Sequence, residues 1–174
     1  MSLLEKNDNL SSCEIDENLN FLRQTYFFSG LPLEALKVFA YLCSREQFKK
    51  GDFLFRQGED DGQAFYLIAG QAILERKNNG DVQAIRHVNA GTFLGGISLL
   101  GSARRVFSLK AEKDSMCLIL TREKFSKTLE QFHEMTPKVF KAMVQAIFTW
   151  EEGFLSGRTD QCGDCMSDLG VSLL

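Results

Sequence analysis

Along this chain the spacing of hydrophobic positions switches from a helical period to a strand period and back. From Pro32 to Cys43 the apolar residues Leu33, Leu36, Val38, Phe39 and Leu42 recur at helical spacing. Pro32 stands where a first turn tolerates it, so a short helix or helical pair is predicted there. After Lys50 the texture becomes short apolar runs broken by glycine: GDFLFRQG, AFYLIAG, QAILERKNNGD, QAIRHVNAG and VFSLKAEKDSMCLILT. Such runs predict strands joined by turns, and Asn79-Gly80-Asp81 predicts a hairpin because Asn and Gly adopt positive φ at little steric cost. No helix-length crossover separates the runs, so the middle of the chain reads as a sandwich or jelly roll rather than a parallel sheet. From Arg122 the helical period returns in REKFSKTLEQF and, after Pro137, in KVFKAMVQAIFTWEEGFL. There Val139, Phe140, Met143, Val144, Ile147 and Phe148 form one wide apolar face, which needs either the roll or the same helix of a second copy to pack on.

The two ends are polar. Residues 1–20 read as a flexible leader, residues 21–155 as one roll with its flanking helices, and residues 156–174 as a short tail, too small for a further domain. With 44% hydrophobic residues and fifteen phenylalanines, the chain can bury a substantial core. Its formal net charge of −3 gives no broad positive field, which argues against direct nucleic-acid binding. No apolar run approaches bilayer length and no basic stretch leads into one at the amino terminus, so a cytoplasmic protein without membrane insertion is expected. Five cysteines are an odd number, and reduced thiols are the expectation. Cys162 and Cys165 have C-x-x-C spacing, yet no second pair or nearby histidine completes a metal site, and no metal is expected.

The ordered series from Lys49 to Leu74, KKGDFLFRQGEDDGQAFYLIAGQAIL, then NNGD, then AGTFLGGISLLGSARR, resembles the cyclic-nucleotide-binding domain family. That family includes catabolite activator protein, protein kinase A regulatory subunits and gated channels. Gly51, Gly58, Gly70 and Gly91 fall at turn positions of its pattern, and the resemblance covers roughly residues 21–155. It implies a mainly β fold with flanking helices, a double-stranded β-helix (jelly roll) plus a long C-terminal helix. It also implies that Phe93–Arg105 is a phosphate cassette for a small anionic ligand, a cyclic nucleotide such as cAMP or cGMP. Gly95, Gly96, Ile97 and Ser98 would then supply amides and Arg105 a guanidinium, since helix-start N–H groups and planar arginine donors both suit phosphate oxygens. Arg104 is the alternative register; Arg105 aligns VFSLKA with the family's next strand. On the long helix the resemblance brings Thr149 and Trp150 to the base. Trp150 would stack on a purine or serve as a dimer-core aromatic, and Glu151 would accept from an exocyclic amine or remain solvated.

The pattern is broken at three positions. Gly96 stands where the family usually has a glutamate for the ribose 2′-hydroxyl. Val106 stands where it has a serine or threonine for the phosphate, and Phe107 replaces a small alanine. A lost hydrogen bond to a charged group is worth about 1.5–3 kcal/mol and a neutral one about 1, together roughly two to three decades of affinity. The sequence therefore supports a regulatory sensor that holds its ligand weakly and signals through the C-terminal helix. The alternative is a ligand-free module that dimerises through that helix, with Arg105 paired to an acidic side chain. An enzyme is not expected. The only histidines, His87 and His133, lie on separate elements, and no hydrolase, paired-carboxylate or phosphate-loop pattern is present. No helix-turn-helix domain is expected after the long helix.

Overall fold

The computed structural model describes residues 12–28, 30–78 and 80–156, except the side chains of 146, 149–151 and 153–156. Helices α1 (Ser12–Gln24) and α2 (Leu33–Leu42), with a 3-10 turn at Tyr26–Phe28 between them, precede the strands. The strands are β1 (Ser44–Phe48), β2 (Phe53–Phe55), β3 (Gln63–Ala69), β4 (Gln71–Asn78), β5 (Asp81–Asn89), β6 (Phe93–Leu94), β7 (Ser108–Ala111) and β8 (Ser115–Thr121). A four-residue helix α3 (Ile97–Leu100) interrupts them, and α4 (Arg122–Gln131) and α5 (Thr136–Ser156) follow. Two four-stranded antiparallel sheets, ordered β1-β8-β3-β6 and β2-β7-β4-β5, face one another as a jelly roll.

The two sheets read differently in sequence because they are buried differently. In β3 and β8, Phe65, Leu67, Cys117 and Ile119 face the second sheet, while Ala64, Tyr66, Leu118 and Leu120 face the helices. Both faces are covered, so QAFYLIA and SMCLILT are nearly continuous apolar runs. The β4–β5 hairpin turns one face to water and alternates instead: Ala72, Leu74 and Val88 are buried, with more polar residues between them. Asn78 pairs with Asp81 across the turn, where Gly80 has φ +99°; Asn79 itself lies outside the described residues.

The helical core is aromatic, with Phe28, Phe39 and Phe125 fully buried and Phe27 in contact with Phe28, Phe93 and Phe125. Ordered structure starts earlier than the polar composition of residues 1–20 suggests. Helix α1 begins at Ser12 and buries Asn18, Leu19 and Leu22. Asn18 makes this possible: its amide donates to Ala40 O and accepts from Arg45 Nε, so a polar position still docks on α2 and β1. Helix α4 is capped by Thr121, which accepts from Lys124 N–H, and Pro137 sits in the first turn of α5. The apolar stripe of α5 is divided. Val139 and Met143 are buried in the helical core, whereas Phe140 is 70% and Phe148 55% exposed. Cys162 and Cys165 lie outside the described residues.

Candidate functional site

The segment Phe93–Arg105 forms β6, a turn through Gly95 and Gly96, the helix α3 and a loop that returns to β7. Gly95 has φ +83°, and a methyl group there would stand 2.5 Å from Arg105 Nη1. Only glycine both adopts this backbone and lets the guanidinium pass beneath it. Ser98 N–H bonds Gly95 O at 3.0 Å and Leu99 N–H bonds Gly96 O at 3.0 Å. The Ser98 amide assigned to a ligand from the sequence is therefore taken by the helix's own first turn, and Gly96 and Ile97 keep the N–H groups that have no acceptor within the helix.

Arg105 turns inward and is 6% exposed. Its Nε donates to Asp61 Oδ2 at 3.1 Å and its Nη2 to Asp61 Oδ1 at 2.7 Å, the two-pronged geometry that a planar fork and a carboxylate share. A second Nη2 bond goes to Gln63 O at 2.5 Å. Phe55 lies under the guanidinium, with its centroid 4.1 Å from Cζ. Arginine has five N–H donors, and these bonds use three. Nη1, on the side of Gly95, has no acceptor among the described residues. Main-chain bonds from Arg105 N to Glu59 O and from Gly58 N to Arg105 O, each 2.8 Å, fix the backbone as well. Arg104 takes part in none of these bonds.

At the other departures from the family pattern the structure supplies reasons. A Cβ at Gly96 would meet the Phe27 ring at 2.7 Å and Phe93 at 3.0 Å, so aromatic rings occupy the space a side chain would need. Val106 is 47% exposed and Phe107 is 2% exposed. Phe107 belongs to the core between the sheets, 5.8 Å from Phe55, so its bulk completes that core. Trp150, like Thr149 and Glu151, falls within α5, and its side chain lies outside the described residues.

Sequence reasoning missed three groups. Asp61 and Asp60 sit in the loop between β2 and β3, where acidic residues read as ordinary turn formers. Asp60 pairs with Arg122, and that guanidinium, with added bonds from Ala103 N–H and Ser102, holds the Asp60 carboxyl below its usual value. The third is Arg86. On the inner face of the second sheet Phe55 pairs with Leu109, Leu109 with Leu74 and Leu74 with Arg86, one row across four strands. Adjacent strands lie about 4.8 Å apart, so Arg86 stands roughly 14 Å along this face from the ring that carries Arg105. Arg86 shares its face with buried Val88, two residues on, and its Nε is buried with no hydrogen-bond partner. The available signal was an arginine at an inward position of an alternating strand.

Elsewhere the chemistry is quiet. Burial pushes the Cys43 and Cys117 thiols up to about 12, so both are inert. No cluster of His, Cys, Asp and Glu able to hold a metal occurs among the described residues, and no helix there is long and apolar enough to cross a membrane.

This architecture is shared with known proteins. A mouse cGMP-dependent protein kinase 2 is 29% identical over 123 residues, which cover 69% of this chain and 16% of the kinase. A cAMP-dependent protein kinase regulatory subunit of Blastocladiella emersonii is 32% identical over 112 residues, 63% of this chain and 27% of that one. The chain thus spans less than a third of the length of these curated relatives. The regulatory domain of Toxoplasma gondii PKA, solved with cAMP, superposes with a TM-score of 0.66 at 16% identity, over 86% of this chain and 55% of that one. The sequence pattern described as "Cyclic nucleotide-binding domain" matches residues 45–132. With the two-sheet roll, the cassette turn and its inward arginine in place, this chain belongs to the cyclic nucleotide-binding domain family.

Proposed function

We propose that this domain is a regulatory, non-catalytic sensor for a cyclic nucleotide. The cyclic phosphate lies on the Nη1 side of Arg105, and a guanine base is turned toward Arg86. The observation that carries this reading is the pair of arginines, the first clamped with one amino group left over, the second half-buried with a buried Nε that has no hydrogen-bond partner. A buried guanidinium nitrogen without an acceptor is costly, and a ligand acceptor removes that cost. Guanine offers O6 and N7 as adjacent acceptors that match a guanidinium, whereas adenine presents an amine donor beside N7. Relatives named as cGMP-dependent kinases fit the same choice. Without side-chain partners at Gly96 and Val106, binding is weak, in the high micromolar to millimolar range.

The two faces of Arg105 divide its work. Asp61 and Phe55 hold the plane, so no side-chain entropy is lost when an anion arrives, and Nη1 with the Gly96 and Ile97 amides supplies the donors. The experiment is a melting curve with millimolar cGMP and cAMP. At about ten times Kd a ligand adds roughly 1.4 kcal/mol, a rise of several degrees for a domain of this size. The rise is expected with cGMP, smaller with cAMP, and absent in Arg105→Ala; no rise with either nucleotide rejects the reading.

A second reading rests on the exposed Phe140, Ile147 and Phe148 of α5. These side chains suit self-association, and the sensor would then act as a homodimer through its C-terminal helix. Sedimentation should give a dimer that Phe148→Glu dissociates; a wild-type monomer ends this reading.

A further inference from the structure

We infer that the outer face of the second sheet carries a separate site for a small zwitterion, of the class of a free amino acid with an apolar side chain. In β7, Leu109 and Ala111 belong to the core between the sheets, so Ser108, Lys110 and, just past the strand, Glu112 point outward. In β4 the inward residues are Ala72 and Leu74, which leaves Gln71, Ile73 and Glu75 outward. Ile73 is the exception in this pattern, a half-buried apolar side chain on the water side of an alternating strand. Pairing of the four strands lines up Phe53, Lys110, Ile73 and His87 in one row across this face.

The row borders a depression of about 370 Å³ that is open on one side and lined chiefly by Lys50, Ile73, Glu75, Lys110 and Glu112. That volume is at the small end of the range in which proteins hold small molecules. The charges around it do not answer one another. Lys110 and Glu75 are diagonal neighbours on β7 and β4, roughly 7–8 Å apart. Lys110 leans the other way, toward β2, with its Nζ 5.4 Å from the Phe53 ring centroid. The Lys50 and Lys110 ammonium groups and the Glu75 carboxylate have no ion-pair partner among the described residues. Their neighbours do: Lys49 pairs with Asp114 at 3.0 Å, and Glu112 with His87 Nδ1 at 2.7 Å.

This arrangement of charge selects the guest. A purely anionic molecule meets Glu75 and Glu112, and a purely cationic one meets Lys50 and Lys110. A molecule with both charges finds an opposite charge for each. Its carboxylate lies between the ammonium groups of Lys50 and Lys110, its own ammonium at Glu75, and its apolar body on Ile73. The backbone beneath is already paired, Gly51 N–H to Ala111 O and Glu112 N–H to Gln71 O, each 2.8 Å, so recognition falls to the side chains. The site is on the water side of the sheet whose inner face carries Phe55 and Leu74, and it takes no residue from the cassette.

Amide NMR of the isotope-labelled full chain, titrated with leucine, tests the site. Leucine should give saturable shifts at Ile73, Glu75, Lys110 and Glu112, with millimolar affinity. N-acetylleucine keeps only the anion and leucinamide only the cation, and each should bind about fivefold more weakly, the worth of one exposed ion pair. Lys110→Met and Glu75→Gln change outward side chains and leave the core intact; each should weaken leucine by a similar factor. Millimolar cGMP should not displace leucine, which separates this site from the cassette, and a failure of the sensor reading leaves the titration decisive. Absence of a saturable shift up to roughly 50 mM leucine overturns the inference. So does equal affinity for the three compounds, binding that ignores both substitutions, or displacement by cGMP.

Discussion

The two arginines of the inner face differ in everything but residue type. Arg105 is anchored by a carboxylate, a carbonyl and an aromatic ring, and its backbone is tied at both N–H and C=O. Arg86, at the far end of the same row of side chains, has a buried Nε and no partner. The first arrangement would persist with no ligand at all, because Asp61 already answers the charge. The Nε of the second has no such internal answer, and the proposed ligand reading rests on it.

Removing the clamp should have the largest effect. Asp61→Ala leaves Arg105 buried and uncompensated, which costs about 3–5 kcal/mol and lowers the melting temperature by roughly 10 °C. A loss below a degree or two would mean that Arg105 swings to solvent, and the contrast between the arginines would collapse.

Arg86→Leu should act in the opposite direction on the fold and strongly on the ligand. It removes an unsatisfied buried donor, so stability should hold or rise. Preference for cGMP over cAMP should fall by about 1–3 kcal/mol, roughly five- to 150-fold. A marked loss of stability on titrating denaturant would show that Arg86 is answered within the protein after all.

Gly96→Ala probes the wall opposite. The new methyl meets Phe27 at a distance that forces the ring aside, an overpacking cost of about 1–3 kcal/mol, and Phe27→Leu in the same chain should restore part of it. Equal melting temperatures for Gly96→Ala and the wild type would mean that the cassette is loosely held against the 3-10 turn.

The effect of acid should be smaller. Asp60 titrates below its ordinary value chiefly because of the Arg122 guanidinium. A carboxyl lowered on folding stabilises at pH above its unfolded value, and that contribution disappears as pH falls through the folded one. Unfolding followed between pH 5 and the acid limit should therefore show a weaker acid dependence in Asp60→Asn than in the wild type. Identical acid limbs would remove Asp60 from the account.

The roll was legible in the sequence because its two sheets are buried differently, and each kind of burial leaves its own period. AFYLIAG and QAIRHVNAG both read as strands, and the structure covers the first on both faces and leaves the second half-exposed. The cassette and its inward arginine were legible through the resemblance. Asp61 was not, because a carboxylate in a glycine-bounded loop looks the same whether it faces water or a guanidinium forty-four positions away. The α1 helix escaped notice for a related reason. Its polar composition hides a docking face of Asn18, Leu19 and Leu22, and the asparagine is satisfied only by α2 and β1. Gly96 read as a missing contact, whereas the structure gives it a positive reason, the room taken by Phe27.

The central proposal is that Arg86 and the spare amino group of Arg105 together hold a guanine cyclic nucleotide. Calorimetric titration of cGMP and cAMP into the wild type and Arg86→Leu, at low salt so that a weak phosphate contact is not screened, tests it most directly. The account predicts measurable cGMP binding, weaker cAMP binding, and loss of that difference in the variant. Equal affinities in the wild type, or a preference that survives without Arg86, would contradict it.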